Sequence, residues 1–438
     1  MSPAAARRGQ DDPDALDASD ATTCVIAGAG PAGMILGLLL ARAGIAVTVM
    51  EKHTDFLRDF RGDTVHASTR SLMADLGLSA QLEPILHPLD NVDLARTSRA
   101  GGRASRLRPA LPSAGVVPQW DFLEMLATAA AGEPSFRLMR GTEVVEAIRH
   151  GDRVVGVRYR GPGDQIREMS APLTVACDGR WSRLRSTQGL QPRSFHVPMD
   201  LWWFRLPCHR NDPAQISGVA HIGHRCTIID RGDYYQIGYL IPKGRDAELR
   251  AQGIETLRSE VATLVPSLAD RVTELRSFDD VKLLDVQLNR LPRWYDDGIL
   301  FIGDAAHAMS PAGGIGVNLA IADAVAAAGI LAAPLRTGAV SRRHLARVQS
   351  RRAVPTIVTQ SVQRVMHRRL RNLLTSPEAN SERPTRLMAL ISRNPLLRNA
   401  IASVITGSLF PERTPDFARR PEAPSTGAQR PVPPLTPD

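Results

Sequence analysis

Three glycines in an otherwise apolar stretch are the first residues whose spacing points to a ligand. Residues 24–52 read CVIAGAGPAGMILGLLLARAGIAVTVMEK, with Gly28, Gly30 and Gly33 in GxGxxG register. Such glycines allow a tight turn, let the backbone approach a pyrophosphate and let a helix lie close to a strand. Glu51 follows at a distance suited to accepting hydrogen bonds from a ribose. The stretch predicts a dinucleotide site, which either NAD or FAD would fit.

Two later stretches place an aspartate at the end of an apolar segment. They read VACDGRWSRLR (175–185) and LFIGDAAHAMSPAGGIGVNLAIADA (300–324). Ligands of open α/β sheets bind at the carboxyl ends of the strands, so Asp178 and Asp304 are placed to contact one. The carboxylate of Asp304 is suited to hydroxyl groups, and its alternative role is to cap a helix at AAHAM.

The elements that must position these residues follow from the apolar pattern. Residues 22–28, 31–43 and 46–51 predict a right-handed βαβ unit with parallel strands. Further strands are predicted at 173–179 and 298–304.

The middle of the chain has a different pattern. Strand composition at 199–207, 217–230 and 233–242, with RGD as the turn between the last two, predicts a mostly antiparallel inserted sheet. GPGDQI at 161 is predicted to be another hairpin turn. Helices are expected at 317–331, at about 341–373 with a kink or break at Pro355, and at about 383–406.

Composition bounds the function classes. The 438 residues are 43% hydrophobic and carry a formal net charge of +9, which favours several domains. The arginines are dispersed without an aromatic RNA-binding signature, so no nucleic-acid partner is expected. The four cysteines lack CxxC spacing, which predicts no metal site. We found no signal-peptide pattern or long uncharged apolar run, and we expect no stable membrane insertion and a cytoplasmic location. Residues 1–20 and 413–438 are predicted to be disordered.

Along about 22–412 the chain resembles the class A flavoprotein monooxygenases, the p-hydroxybenzoate hydroxylase-like aromatic hydroxylases. The match rests on three ordered motifs: the GxGxxG unit, the DG motif at 178–185 and the GD motif from Gly303 to Asn318. The resemblance implies an α/β fold in which a Rossmann-like FAD-binding domain of glutathione-reductase type carries an inserted substrate sheet and C-terminal helices. We predict an FAD-binding domain at 21–80, 103–190 and 280–340, a substrate domain at 81–102 and 191–279, and a helical region at 341–412.

The resemblance also implies the cofactor residues. These are Gly28, Gly30, Pro31, Ala32, Gly33, Glu51, Lys52, Arg61, Gln119, Asp178, Gly303, Asp304, Pro311, Gly314, Gly316, Val317 and Asn318. Arg61, Pro311 and Gly316 are the catalytic candidates, and Arg185 is expected to hold Asp178 in place. His307 is expected to be structural rather than a base.

A second strand–GxGxxG–helix unit is missing from the sequence, which indicates that FAD occupies the one nucleotide fold as a prosthetic group. The resemblance then implies that NADPH or NADH binds transiently and reduces FAD. Oxygen then forms a flavin hydroperoxide that attacks an electron-rich substrate carbon. A separate base or nucleophile set is not required.

The inserted sheet is the expected substrate platform. Alternation places Trp202, Phe204 and Leu206 on one face and Trp203 and Arg205 on the other, while Tyr235, Ile237, Tyr239 and Ile241 share a face opposite Tyr234 and Gln236. The substrate candidates are Trp202, Phe204, Arg205, Tyr235, Ile237 and Tyr239. Arg205 and Arg231 are candidates for a substrate carboxylate. Asp233 stands where the p-hydroxybenzoate enzyme has an arginine, which argues against a simple benzoate and favours a larger aromatic or polyketide-like molecule.

Two other enzyme classes share the nucleotide unit. A flavin-dependent halogenase carries a WxWxIP signature, whose second tryptophan LWWFRLP lacks, and it would need a halide. A reductase of isoprenoid-type substrates would consume no oxygen. The chain is expected to be a monomer or a homodimer.

Overall fold

The computed structural model describes residues 21–57, 64–88, 92–96, 114–209, 212, 216–221, 224–375, 394 and 410–421. Its strands are β1 Cys24–Ala27, β2 Val47–Glu51, β3 Thr64–Val65, β4 His87–Pro88, β5 Val92–Arg96, β6 Gly115–Val116, β7 Phe136–Arg140, β8 Glu143–His150, β9 Arg153–Arg160, β10 Ile166–Ser170, β11 Leu173–Ala176, β12 Arg193–Ser194, β13 Met199–Pro207, β14 Ile216–His221, β15 His224–Asp230, β16 Tyr234–Pro242, β17 Lys282–Leu284, β18 Asn289–Arg290, β19 Tyr295–Asp296 and β20 Ile299–Phe301.

The α-helices of the described ranges have mixed lengths, from one turn to 34 residues. They are α1 Pro31–Arg42, α2 Ala67–Asp75, α3 Ser79–Leu82, α4 Gln119–Ala131, α5 Arg183–Thr187, α6 Asp246–Arg250, α7 Ile254–Leu264, α8 Ile315–Arg336 and α9 Arg342–Thr375.

A six-stranded sheet forms the centre of the nucleotide-binding region. Its order is β19-β20-β11-β1-β2-β7, and every pairing except β19 with β20 is parallel. The side chains of β1 are buried on both faces, as expected for a parallel strand covered on both sides. Cys24 and Ile26 face a core shared with α1 and α8, whereas Val25 and Ala27 face the core under β8, β9 and β10.

A second six-stranded sheet has the order β17-β13-β16-β15-β14-β5. It is antiparallel except where β14 pairs in parallel with β5. The stretch of strand composition at 217–230 forms two strands, β14 and β15, which pair antiparallel with His221 opposite His224.

Pro355 neither breaks nor ends a helix, because α9 continues through it. Proline costs a helix one backbone hydrogen bond, and the buried residues around it include Arg352, Thr356 and Thr359.

The predicted disorder of the tail from 413 is wrong for residues 413–421. Ala418 is fully buried, and its carbonyl accepts a 2.9 Å hydrogen bond from Arg42 Nη1. Thr414 Oγ1 donates to Asp75 at 2.7 Å. The segment is ordered because its few anchoring side chains meet partners distant in sequence. The predictions for 1–20, for 422–438 and for all of the predicted helix 383–406 except Asn394 concern residues outside the described ranges.

Among the described residues, α8 is long and apolar enough by length and composition to span a membrane. Most of its apolar window is buried inside the protein, against α1 and α9. The helix therefore serves as a core helix of this fold.

Candidate functional site

Four neighbouring strands of the parallel sheet end at the same edge. In the order β20, β11, β1 and β2, their carboxyl ends lead into Gly303, Asp178, Gly28 and Glu51. The three motifs, separated by more than 100 residues in sequence, therefore converge on one crevice, where open α/β sheets bind ligands.

The three glycines of the first motif have different surroundings. Gly28 has φ +97°, and a Cβ there would lie 2.5 Å from the carbonyl oxygen of Cys177. A Cβ on Gly33 would lie 1.9 Å from the carbonyl oxygen of Gly28. A Cβ on Gly30 would meet no atom within 4 Å. Gly28 and Gly33 thus permit close approach within the protein, whereas Gly30 borders open space at the start of α1.

The start of α1 is free of side-chain caps. Gly30 is the N-cap and Pro31 occupies the first turn, with Ala32 buried behind it. Because the first amides of a helix have no intrahelical partner, this end presents donors and a partial positive charge to the crevice. The geometry suits a phosphate group.

Glu51 is oriented by the backbone around it. Its Oε2 accepts from the Ala29 amide at 3.0 Å and its Oε1 accepts from the His53 amide at 3.2 Å. A carboxylate can accept about four hydrogen bonds, which makes Glu51 a suitable acceptor for ribose hydroxyls. Lys52 follows as an exposed residue.

The DG motif builds a short helix start. The carboxylate of Asp178 accepts from the Leu184 amide at 3.1 Å, and Ser182 Oγ accepts from the Arg185 amide at 3.0 Å. Burial raises the pKa of Asp178 above its usual value, although hydrogen bonds from Ser182 and Leu184 oppose the shift. The carboxylate of Asp178 therefore caps α5, and its side chain is directed to its own motif.

Arg185 joins the DG and GD motifs. Its Nη1 donates to the carbonyl oxygen of Ala305 at 2.9 Å and its Nη2 to that of Arg180 at 2.5 Å. Burial lowers the pKa of Arg185, and the charges of Asp178 and Asp304 oppose that shift, so Arg185 acts on Asp178 through charge while its guanidinium donates to backbone carbonyls. A planar guanidinium has several donors, which lets it tie two loops together at once.

The GD motif leaves a carboxylate at the crevice. Gly303 has φ +59°, and a Cβ there would lie 3.3 Å from the Cβ of Ala320 and 3.4 Å from that of Ala32. Asp304 is 31% exposed at its side chain, and Arg180 Nη2 lies 3.6 Å from its Oδ2. Within the described residues no α-helix begins directly after Asp304, so Asp304 is not a helix N-cap. It lies inside a short 3₁₀ turn whose N-cap is Ile302.

The loop before α8 is tightly packed at Gly314. Gly314, with φ +61°, leaves room for Thr64, whose Oγ1 would lie 2.4 Å from a Cβ there. The Gly314 amide donates to the Pro311 carbonyl at 3.0 Å. Gly316 and half-buried Val317 lie in the first turn of α8. The first-turn amides have no helical partner and are suited to negative charge on a bound ring.

The side chain of Asn318 makes hydrogen bonds within the protein, whereas a contact with the cofactor was expected. Its Oδ1 accepts from the His66 amide at 2.9 Å and from Thr69 Oγ1 at 2.8 Å. Its Nδ2 donates to the carbonyls of Thr64 at 2.8 Å and Gly314 at 3.1 Å. Both donors and both acceptors of the amide are used. The side chain therefore ties α8 to the segment before α2, and only its backbone is left for a cofactor.

Helix α9 supplies residues that sequence reasoning missed. Gln363 Nε2 donates to the Ser310 carbonyl at 2.9 Å and to the Ala312 carbonyl at 3.1 Å. His367 Nε2 lies 2.9 Å from Ser310 Oγ, and Gln360 Nε2 donates to the Asn289 carbonyl at 2.7 Å. Three buried polar residues at helical spacing on an arginine-rich helix were the available signal.

A buried charge cluster lies behind the GD motif. His307 Nε2 is 2.5 Å from Asp323 Oδ2, and Arg352 Nε is 2.9 Å from Asp323 Oδ1. Arg352 also pairs with Glu412 at 3.0 Å. Burial by itself raises the pKa of Asp323, yet the charges and hydrogen bonds of His307 and Arg352 hold it below the usual value. His307 is thus part of a structural network.

Five of the six substrate candidates lie on the covered face of the second sheet. Trp202, Phe204, Tyr235, Ile237 and Tyr239 are at most 4% exposed and share a core with α7. Their polar atoms face that core as well, since Tyr239 donates to Glu260 at 2.7 Å and Trp202 to Asp246 at 2.6 Å. The expectation that these five line a substrate pocket is therefore wrong.

The opposite face of the same sheet meets the loop of the GD motif, residues 303–318, here named the GD loop. Leu201, Trp203 and Leu240 contact a cluster that contains Met309 and Leu319. Gly238 makes room for the indole of Trp203, since a Cβ there would lie 2.7 Å from the ring. Alternation had separated the two faces correctly, but helix α7 covers the face that had been assigned to substrate.

The two arginine candidates differ in burial. Arg205 is exposed and lies over the ring of Tyr234 at 4.8 Å. Arg231 is buried, and its Nε and Nη2 donate to Gln236 Oε1 at 3.1 and 3.0 Å. Burial lowers the pKa of Arg231 to about 10. Both lie at the end of the sheet where β13, β15 and β16 meet.

Two other cofactor candidates have simple positions. Gln119 is the first residue of α4 and is half-buried. Arg61 lies outside the described residues, so the structure gives no position for this catalytic candidate.

The residues of the crevice fit FAD. The uncapped start of α1 beside the open space at Gly30 suits a pyrophosphate, and Glu51 and Asp304 are acceptors suited to hydroxyl groups. The glycine-rich start of α8 suits the electron-accepting edge of an isoalloxazine. Among the described residues no group of histidine, cysteine and acidic side chains could hold a metal ion.

Comparisons with known proteins also identify an FAD-binding family. The FAD binding domain family matches residues 21–362. The 6-methylpretetramide 4-monooxygenase of Streptomyces rimosus is 32% identical over 396 residues, which are 89% of this chain and 93% of that protein. OxyS anhydrotetracycline hydroxylase from Streptomyces rimosus shares the fold, with a TM-score of 0.69, 22% identity and coverage of 88% of this chain and 76% of that one.

A flavin-dependent brominase also shares the fold. Its TM-score is 0.70 at 17% identity, and the match covers 89% of this chain and 94% of that one. At these identities the structural likenesses show the fold alone, so the assignment rests on the family match and on the sequence relative. The chain belongs to the FAD binding domain family and, within it, to the class A flavoprotein monooxygenases.

Proposed function

We propose that this protein is an FAD-dependent monooxygenase that takes electrons from NADPH or NADH and oxygenates an aromatic, polyketide-like small molecule. The observation that carries the proposal is the position of the GD loop. On one side it adjoins the crevice that fits FAD, and on the other its Met309 contacts the apolar face of β13 and β16. A flat apolar substrate held on that side would lie next to the bound ring.

FAD, when bound, supplies the redox chemistry, since it accepts electrons from a nicotinamide and transfers them to oxygen. The chain supplies orientation. The start of α1 would hold the phosphates of FAD, Asp304 and Glu51 would accept its hydroxyl groups, and Arg185 ties the two loops together. The apolar sheet face around Leu201, Trp203 and Leu240 excludes water from the reacting side.

The chemistry of this face favours a fused-ring substrate over a benzoate. Leu201, Trp203 and Leu240 make one end of it apolar, and the exposed Arg205, opposite Gln236, lies on the same face at the other end. A relative with 32% identity is named for action on 6-methylpretetramide, which supports the same substrate class. An arginine at the rim suits an acidic phenol or enol at one end of such a molecule.

The direct test uses purified, FAD-loaded protein with NADH or NADPH, a panel of polycyclic aromatic phenols, and ¹⁸O₂. We expect substrate-dependent nucleotide oxidation, matched oxygen uptake and a product heavier by one ¹⁸O atom. Incorporation of ¹⁸O only from labelled water, or none, contradicts the proposal. Product that forms without oxygen identifies a reductase, and product that requires bromide or chloride identifies a halogenase.

The cofactor site has its own test. Asp304→Ala is expected to yield folded protein with at least tenfold weaker FAD affinity, because a hydroxyl acceptor at the crevice is lost. Asp152→Ala, in an exposed turn, is the matched control and keeps full FAD content. The FAD-to-protein ratio from absorbance measures both, and full loading of the Asp304 variant would refute this role.

A further inference from the structure

A basic cleft of about 340 Å³ lies between the segment at β12 and the C-terminal half of α9. Its charged or titratable lining residues are Arg193, His196, Arg364, His367, Arg368 and Arg371. They surround the half-buried ring of Phe195. No aspartate or glutamate is among the described residues that line this cleft, so it presents concentrated positive charge.

The concentration of charge is unusual for this protein. Several arginines elsewhere are paired with carboxylates, as Arg140 is with Glu124 and Arg153 with Asp297. In the described part of the chain, Arg193, Arg364 and Arg368 have no carboxylate within ion-pair distance. Like charges one helical turn apart repel each other, so such a cluster is best satisfied by a bound anion.

The guanidinium groups converge on one place. The Cζ atoms of Arg193 and Arg364 lie 5.6 and 4.8 Å from the centre of the Phe195 ring, and that of Arg290 lies 5.6 Å from it. Burial lowers the pKa of Arg290, and the positive charges of Arg193 and Arg364 lower it further. Arg364, Arg368 and Arg371 lie at i, i+4 and i+7 on α9 and therefore share a face.

Phosphate is the anion that this arrangement matches. Guanidinium groups bind phosphate through two parallel hydrogen bonds, and several of them together suit a ligand with more than one phosphate. The ring of Phe195, between the arginines, adds contact area for a sugar or a base.

The cleft also adjoins the GD loop. His367 lines the cleft, and its Nε2 is 2.9 Å from Ser310 Oγ, in the residue before Pro311. Gln363, one turn earlier, donates to the backbone of the same loop. A phosphorylated ligand in the cleft would thus be anchored beside the loop that the flavin is expected to contact.

We propose that this cleft binds the phosphate groups of the nicotinamide nucleotide that donates electrons, and that a nucleotide with a 2′-phosphate binds more tightly than one without. This inference rests on the proposed function for the identity of the ligand. None of the described residues that line the cleft belongs to α1, so the electron donor and FAD would use separate phosphate sites.

The test compares two double variants of α9 in the FAD-loaded full chain. Arg364→Gln with Arg368→Gln removes two charges from the cleft. Arg343→Gln with Arg347→Gln removes two exposed charges with the same i, i+4 spacing about 30 Å away along the helix. All four side chains are exposed, so both variants are expected to fold and to retain FAD.

Calorimetry with 2′,5′-ADP measures phosphate binding without any redox reaction. We expect the cleft variant to bind at least tenfold more weakly than the wild type and the control variant to stay within twofold. In rapid-mixing measurements of flavin reduction, the apparent Kd for NADPH should rise at least tenfold in the cleft variant. The limiting rate should remain unchanged, and the change for NADH should be smaller.

Other outcomes overturn the proposal. Unchanged 2′,5′-ADP binding in the cleft variant excludes the cleft as the site. Binding of inorganic pyrophosphate to the wild type as tightly as 2′,5′-ADP would show a general anion site and refute the nucleotide assignment. If neither NADH nor NADPH is oxidised, the proposed function fails, whereas calorimetry still decides whether the cleft binds the nucleotide phosphates.

Discussion

The two large sheets of this protein place their functional residues in different ways. In the parallel sheet, backbone geometry at the strand ends positions the site, as at Gly28, Gly33 and Gly303. In the antiparallel sheet, both faces carry apolar residues, and the partner that covers each face decides its role. A site made by the backbone is encoded locally, whereas a site made by a sheet face depends on residues far away in the sequence.

The sharpest test of this contrast is within the GxGxxG turn. Gly33→Ala puts a Cβ 1.9 Å from a carbonyl oxygen, and we expect loss of the folded, FAD-loaded state. Gly30→Ala meets open space, so this control should fold normally and lose only FAD affinity. Soluble yield, unfolding midpoint and FAD content measure both variants. Normal stability in the Gly33 variant would show that the turn relaxes easily and would weaken the contrast.

The two faces of the antiparallel sheet can be separated by neighbouring residues. Phe204→Ala empties a fully buried position in the α7 core and should lower the free energy of unfolding by about 3–5 kcal/mol. Trp203→Ala changes the half-buried face toward the GD loop, so its larger effect should be on substrate KM. Denaturant titration and steady-state kinetics measure the two effects. A reversed pattern would mean that the faces are misassigned.

The buried charge cluster links the parallel sheet to α9 and should respond to pH. Asp323→Asn is expected to cost about 3 kcal/mol at pH 7, because it leaves Arg352 and His307 without the charge that they share. The lowered pKa of Asp323 means that its contribution is present above the unfolded value of about 3.9 and is lost as the pH falls through the lower folded value.

Unfolding by urea at pH 7 and near pH 3 should therefore show the gap between wild type and Asp323→Asn closing at the acidic end. Asp279→Asn, an exposed residue of a short 3₁₀ turn, serves as the control. A gap that is independent of pH would contradict the assigned charge state.

The smallest effect is expected where the ordered tail meets the nucleotide region. Arg419→Ala removes an exposed ion pair with Asp75, for which we expect a change below about 1 kcal/mol. Ala418→Asp, in contrast, places a charge at a fully buried position and should release the segment. Protease cleavage within 410–421 measures the release. Equal resistance in both variants would show that Ala418 does not anchor the tail.

Much of the site was predictable because its motifs are local. The turn at Gly28, the strand that ends at Glu51 and the aspartates after two apolar strands were all expected from short stretches. The contacts of Arg185, Asn318 and Gln363 were not, because their partners lie far away in sequence, as far as 254 residues for Asn318 and Thr64. No local pattern distinguishes a side chain that binds a ligand from one that ties two loops together.

The amino-acid sequence alone determined the nucleotide fold, its single GxGxxG unit and the separation of residues into two faces on each strand, because these follow from backbone sterics and a two-residue period. Only the tertiary structure decided which face of the second sheet α7 covers, that residues 413–421 are ordered, and that the arginines of α9 gather around Phe195. Those features depend on which distant surfaces meet, and periodicity carries no information about a partner.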